Sequence, residues 1–270
     1  MNIATLLSAH NHPKVVRDTL DSIRTWMTKD ILVIVDGASW EEMSKQYFNA
    51  YLLEGLYHNY HRSPYRNVIL GMWELSKKWP HADWYCYMEY DCLVASDGFV
   101  SELEEAESNG IWCLGSDPRQ KQLNLPLLEK MLDSPITQAS YVLGCCVFYN
   151  GEFIRQLHSF FEKFMNLTNG FTQGFFPGFN DYDLAEHLLP TLATHYGGKV
   201  GGLSQWNESL DKWTAGDYEK YPIRFRPDMR DDENFPKASI FHPIKNYDHS
   251  IREYNRKIRC KMNMETSKTT

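Results

Sequence analysis

The chain has no long basic run, no apolar stretch of 18 residues and no cysteine pair at metal-binding spacing. Each absence excludes something. Phosphate-backbone binding needs clustered positive charge, so nucleic acid is excluded as the main ligand, in keeping with a formal charge of −7. A bilayer needs a longer apolar segment than any present, so no transmembrane helix is expected. The six cysteines, Cys86, Cys92, Cys113, Cys145, Cys146 and Cys260, form neither a zinc pattern nor a disulfide framework. Most sit among apolar neighbours and read as buried thiols in a reducing compartment. No basic segment followed by an apolar one opens the chain, so a cytoplasmic location is expected. Repeats, linkers and low-complexity blocks are missing too. Gly197-Gly198-Lys199 lacks the preceding glycine and the Ser/Thr of a phosphate loop, and His10-Asn11-His12 has no acids at metal spacing.

What is present is 270 residues, 43% of them hydrophobic, enough for one large α/β domain. Residues 3–9 read as a buried strand and 15–26 as a helix with apolar spacing at Val16, Leu20 and Ile23. Residues 31–35, Ile-Leu-Val-Ile-Val, form a β-branched run suited to a parallel strand covered on both faces. A helix is predicted over 41–56, a second over 67–78, and a strand over 84–88. This order implies a mostly parallel, doubly wound sheet. Further on, strands are expected at 111–115, 141–149 and 238–241, and helices at 152–166 and 180–193, the last carrying Pro190.

The most informative stretch is Tyr85-Cys86-Tyr87-Met88-Glu89-Tyr90-Asp91. An apolar, aromatic strand ends in two carboxylates one residue apart. Alternation would put Glu89 and Asp91 on one face, about 7 Å apart along the backbone. Convergent carboxylates suit a hard divalent cation that holds phosphate oxygens, or a ribose. In doubly wound sheets ligands bind beyond the carboxyl ends of the strands. His10 and Asp36 fall at the same edge by this reading, closing the first and second strands. Arg62 and Arg66 precede the helix that leads into the acidic strand, with Asn67 as its cap. Arg can grip a diphosphate with two parallel bonds, and a helix start favours anions.

A second group lies at Asn180-Asp181-Tyr182-Asp183-Leu184-Ala185-Glu186-His187. Asp181 and Asp183 are explained in part as first-turn acids that complement the helix dipole. Glu186 has no such explanation and shares a helix face with Asp183. A carboxylate on a helix opening toward a cleft can serve as a general base. His242 and Lys245 follow the late strand, where they can complete a metal site and neutralise a departing diphosphate. The chain has Phe 14, Tyr 16 and Trp 8, and the loop 174–180 is the expected place for acceptor contact.

In this order of parts the chain resembles the nucleotide-sugar-dependent glycosyltransferases of the GT-A fold. The resemblance spans roughly residues 3–245. It is carried by the first strand, Asp36, Arg66-Asn67 with Gly71, the triplet Glu89-Tyr90-Asp91, the segment Glu186-His187-Leu188-Leu189-Pro190-Thr191, and His242. It implies a Rossmann-like α/β fold with a smaller acceptor-side subregion. Residues 1–245 would be one catalytic domain, with a nucleotide-binding half at 1–95 and an acceptor half at 96–245. Residues 246–270 would be a charged extension. The family's triplet is usually Asp-x-Asp, so Glu89 is the departure here. By resemblance, His10, Asp36, Arg62, Arg66, Glu89, Tyr90, Asp91 and Lys245 would bind a UDP- or GDP-type sugar. Asp91, His242 and Glu89 would hold Mn2+ or Mg2+, and Glu186, then Asp181 or Asp183, would be the base. A sugar would pass to a glycan or other hydroxyl with inversion. The rival expectations are a nucleotidyltransferase of similar fold and a non-catalytic carbohydrate-binding pseudoenzyme.

Overall fold

The computed structural model describes residues 1–46, 48–55, 64–122, 125–136, 138–168, 181–203, 223–225 and 239–266. In chain order these form β1 (Ile3–Ala9), α1 (Pro13–Trp26), β2 (Ile31–Val35), α2 (Trp40–Met43), β3 (Tyr51–Glu54), α3 (Pro64–Lys78), β4 (Trp84–Glu89) and β5 (Leu93–Val94). Then come α4 (Val100–Ser108), β6 (Ile111–Lys121), α5 (Pro126–Leu132), β7 (Ala139–Asn150), α6 (Gly151–Gln156), α7 (His158–Thr168) and α8 (Asp181–His195). The chain closes with β8 (Lys199–Gly202), β9 (Ile223–Phe225), β10 (Ile240–His242) and α9 (Ser250–Thr266).

Seven strands make one sheet in the order β3-β2-β1-β4-β7-β6-β8. Within it β7 alone runs against its neighbours β4 and β6; the other pairs are parallel. This is the mostly parallel, Rossmann-like α/β sheet expected from the sequence. The reason lies in side-chain alternation. Leu6, Leu32, Ile34, Tyr85 and Tyr87 face a layer built by α3 and α5–α8. Leu7, Val33, Val35, Trp84, Cys86 and Met88 face α1 and α4 on the other side. Both faces of β1, β2 and β4 are therefore dry, which is what a continuous apolar run requires. Gly71 lets α3 lie close on the sheet: a Cβ there would come within 2.6 Å of Leu6 Cδ1.

Two segments depart from the periodicity. The helix predicted over 41–56 is only α2, followed by the edge strand β3, whose ends are exposed. The helix predicted over 152–166 is divided at Leu157 into α6 and α7. Gly198 and Lys199, read as no phosphate loop, lead into and open β8.

A second, three-stranded sheet, β5-β10-β9, positions the late basic residues. β10 runs antiparallel to β5 with Ile240 opposite Val94 and Phe241 opposite Leu93. Continuing that register by one residue sets His242 beside Cys92, next to Asp91. The stretch expected as a charged extension contains α9, which packs on α1. Asp18 of α1, buried in that contact, accepts from Arg252, Arg256 and Arg259 of α9. No helix among the described residues is long and apolar enough to cross a membrane. All six cysteines are free, and Cys260 alone is exposed.

Candidate functional site

Residues 84–88 are buried, and β4 ends at Glu89, where the chain turns. The turn is fixed by the backbone: Tyr90 N–H donates to Ser8 O at 3.0 Å and Cys92 N–H to Glu89 O at 3.1 Å. Asp91 therefore sits in the turn and not on the strand, so strand alternation is not what aims it. Instead, Ile244 N–H donates to the Asp91 carbonyl at 2.8 Å and ties the loop after β10 to this turn. Both carboxylates then meet one imidazole. His242 Nε2 lies 3.0 Å from Glu89 Oε2 and 3.4 Å from Asp91 Oδ1. Lys245 Nζ is 3.9 Å from Asp91 Oδ2.

The two acids differ in setting. The Glu89 side chain is 40% exposed and that of Asp91 only 4%. Burial raises the Asp91 carboxyl, but the hydrogen bond and charge of His242, then Lys245, outweigh it and hold the group below its ordinary range. Burial disfavours charge on His242 as well. Cys145 and the two carboxylates overcome this, and the imidazole titrates far above its ordinary value. The Cys145 thiol is itself pushed up to about 11 by burial, so at neutral pH the carboxylates hold the imidazolium.

This arrangement fixes a pH dependence. His242 binds its proton more tightly folded than unfolded, so its contribution is complete below pH 6.5 and is lost as pH rises toward the folded value. Asp91 contributes above 3.8, and that contribution is lost as pH falls through its lowered folded value. Denaturation in chelator between pH 6.5 and 8, below the range where the buried thiols would ionise on unfolding, should show wild-type stability falling by up to about 1.4 kcal/mol per pH unit. His242→Gln should remove that slope; an unchanged slope would show that the imidazolium is not held by these acids.

The edge of β1 adds an aromatic wall. His10 packs edge-on against Tyr90 at 4.7 Å between ring centroids, and His12 stacks on the same ring at 6.0 Å. Burial lowers the His10 imidazole against the opposing pull of Asp36, Asp91 and Glu89. Tyr90 is pushed up to about 12, by burial first and then by Asp91 and Glu89. Asp36 closes β2 and caps the short 3-10 turn at Gly37–Ser39, accepting from Ala38 N–H at 2.8 Å. Its turn role is thus real, and its charge is still felt at His10. Arg62 lies outside the described residues. Arg66 falls in the first turn of α3 and Asp181 and Asp183 in that of α8, but their side chains lie outside the described part. The loop 174–180 lies outside as well.

Glu186 joins from α8. Its Oε1 accepts from Gly144 N–H at 3.1 Å. Tyr141, on the same strand, hydrogen-bonds Glu186 and is held well above its usual range, by burial and then by that charge. A Cβ at Gly144 would come within 3.1 Å of Glu186 Cγ, so a glycine is what lets the acid lie on β7. Further along α8, His187 Nδ1 reaches Ser140 O at 3.0 Å, and Thr191 Oγ1 accepts from Ser140 N–H at 3.0 Å. β7 pairs with β4 so that Cys146 lies opposite Met88, the last pair; Gly144 lies two residues past it along β7, toward the end at which β4 stops. Glu186 is thereby held at the same sheet edge as the acidic turn.

The donor set fits a divalent cation. Asp91 Oδ1 is buried and has no hydrogen-bond partner of good geometry among the described residues. Asp91, Cys92 and His242 each offer a ligand atom within 4.8 Å of the others. Cys92 is the poor member for a hard ion: its thiol donates to Cys145 O at 3.3 Å, and burial drives it far above its usual range. Glu89, Asp91 and His242 are the oxygen and imidazole donors suited to Mn2+ or Mg2+, with the ion taking the place of the proton that His242 holds between the two acids. Sequence reasoning missed Cys145, Tyr141 and the tie from Ile244 and saw His12 only as a failed metal motif, because the two β7 residues arrive by strand register and the other two by the packing of a helix start and a loop against the turn.

A mostly parallel sheet with acids, an imidazole and an ammonium gathered beyond its carboxyl edge defines an α/β protein with a polar site where such sheets bind ligands. No family model matches the chain, and no curated protein matches it. Among solved structures it is similar to the glycosyltransferase GlyE of Streptococcus pneumoniae TIGR4, at 12% identity and a TM-score of 0.48, covering 100% of this chain and 64% of that one. It is similar to mouse xyloside xylosyltransferase 1 in its apo form, at 12% identity and a TM-score of 0.36, covering 89% and 97%. It is also similar to mannose-1-phosphate geranyltransferase of Thermus thermophilus, at 12% identity and a TM-score of 0.38, covering 68% and 67%. The chain thus spans 64% of the length of the first of these.

Proposed function

We propose that this protein is a glycosyltransferase that moves a sugar from a nucleoside diphosphate sugar to a hydroxyl of a glycan or related acceptor, with inversion. The observation that carries the reading is the convergence of Glu89, Asp91, His242 and Lys245 at one sheet edge, with Asp91 Oδ1 buried and short of a hydrogen bond. Asp91, His242 and Glu89 are the residues that would hold a divalent cation. Such an ion, when bound, neutralises charge on the diphosphate. Lys245, whose side chain is largely exposed, supplies positive charge to the departing diphosphate. Arg62 and Arg66 are proposed to share that task. His10, Tyr90 and Asp36 form the wall against which base and ribose would rest.

Glu186 is proposed as the base, with Asp181 or Asp183 as the alternative. Its carboxylate takes the proton of the acceptor hydroxyl. The acceptor oxygen bonds to the anomeric carbon, the bond from that carbon to the phosphate oxygen breaks, and the nucleoside diphosphate leaves with the electron pair. A base on the acceptor side supports attack from the face opposite the leaving group, hence inversion.

A thermal-shift screen of nucleoside diphosphates and sugar nucleotides, with and without Mn2+, tests the reading. A true donor at 100 times its Kd stabilises the fold by about 2.7 kcal/mol, which raises Tm by roughly 5 to 10 °C. One nucleotide class should give this shift, larger with Mn2+. Silence from all UDP and GDP sugars would overturn the reading, and a response confined to nucleoside triphosphates would favour nucleotidyl transfer.

A further inference from the structure

Arg252 is fully buried, and its guanidinium spends its donors on three separate segments. Nε donates to Ile244 O at 3.0 Å. Nη1 donates to Asp18 Oδ2 at 2.9 Å. Nη2 donates to Thr19 Oγ1 and to Cys92 O, each at 3.2 Å. The Thr19 hydroxyl in turn sits 2.7 Å from both Tyr90 O and Cys92 O, and its single proton is shared between the two acceptors. One turn further along α9, Asn255 Nδ2 reaches Val94 O at 3.3 Å. The acidic turn is therefore gripped at Tyr90 and Cys92, β5 after it at Val94, and the loop carrying His242 and Lys245 at Ile244.

We infer that Arg252 is a positioning residue of the candidate site, setting the distance between the Glu89–Asp91 turn and the His242–Lys245 loop, so that α9 is part of the site's machinery. The inference rests on the proposed metal and diphosphate reading for its functional meaning. The physical reason is geometric. The β5–β10 pairing stops at Leu93 and Phe241, and past it one backbone hydrogen bond, from Ile244 N–H to Asp91 O, holds the two loops together; one backbone bond past the last strand pair lets the loop ends splay. A planar fork bonded to a carbonyl on each side prevents this. Lysine keeps the charge and can still pair with Asp18, but a point ammonium on a flexible stem cannot span the same acceptors. Arg256 is the internal control. On the same helix, it touches Asp18 at 3.5 Å and Tyr247 O at 2.9 Å, and so bonds to neither the acidic turn nor Ile244.

The experiment compares wild type, Arg252→Lys, Thr19→Val and Arg256→Gln by Mn2+ titration calorimetry and by amide hydrogen exchange at Ile244 and Cys92. Arg252→Lys should weaken Mn2+ about tenfold and speed Ile244 exchange at least tenfold, with exchange in β1 and β2 unchanged. Thr19→Val, which exchanges the hydroxyl for a methyl of similar size, should move both readouts the same way and stands in if Arg252→Lys does not fold. Arg256→Gln should leave both readouts at wild-type values. Wild-type Mn2+ affinity and wild-type Ile244 exchange in Arg252→Lys and Thr19→Val would reduce Arg252 to a structural residue and overturn the inference. If wild type binds no Mn2+, the metal reading fails. The exchange arm then decides alone: selective acceleration keeps the positioning role, and a uniform change ends it.

Discussion

Asp91→Asn should abolish divalent-cation binding at this site and lower kcat/KM for sugar transfer by about 10^2 to 10^3-fold. The substitution keeps the shape of the side chain and removes its charge. Asp91 is 3% exposed, so its charge acts where water screens it little. Glu89 remains close to His242 but is far more open to solvent, and so substitutes poorly. The Mn2+ Kd should rise by more than about 100-fold, beyond what losing a partner of a ligand costs. The change has a folding side too. Removing one member of a buried ion pair costs about 3 to 5 kcal/mol where the other must stay charged. Here His242 can release its proton instead, so the measured loss should fall below that range and shrink as pH rises. Calorimetric Mn2+ titration, denaturant melts at two pH values and product assays read the three effects. Transfer and Mn2+ affinity within threefold of wild type would remove Asp91 from the site.

Glu186→Gln is expected to separate binding from chemistry. The amide keeps an oxygen acceptor for Gly144 N–H, so the side chain should stay on β7. It cannot take a proton. General-base catalysis contributes about 10^2 to 10^4-fold, and kcat should fall by that factor while the thermal shift given by the donor stays at the wild-type value. Tyr141 offers an independent readout. Its phenol is held up partly by the Glu186 charge, so its titration should move down in Glu186→Gln. Asp181→Asn is the comparison. Transfer surviving in Glu186→Gln and lost in Asp181→Asn would move the base to the start of α8. Loss of the donor shift in Glu186→Gln would show instead that Glu186 holds the donor.

Much of the frame was legible because local chemistry and tertiary setting agree. The run Ile31–Val35 has the pattern of a strand dry on both faces and is one, and β4 runs buried to Glu89 as its pattern implied. Where a segment's composition and its setting disagree, the reading failed. Residues 41–56 contain good helix formers, yet β3 forms there because β2 offers it an open edge; an edge strand with exposed ends has no apolar run to announce it. Leu157 likewise sits in helix-like sequence but separates α6 from α7.

The site divides in the same way. Sequence alone determined which residue types could do the chemistry and that an apolar strand stops at Glu89, because local pattern decides where a strand stops; it placed Asp91 on that strand, and the structure places it in the turn that follows. It also singled out Glu186 as lacking a local explanation, and His242 and Lys245 for their place after the late strand. Only the tertiary structure decided that they converge. His242 meets Glu89 across 153 residues, through the pairing of β10 with β5, and Arg252 meets Asp18 across 234. Register and helix packing at such separations depend on the whole core, and no local pattern encodes them. The expected extension proved to hold the arginine that clamps the acidic turn, and no local pattern announced it: the two acceptors by which it joins the turn to the His242 loop are backbone carbonyls, which every residue carries and no sequence distinguishes.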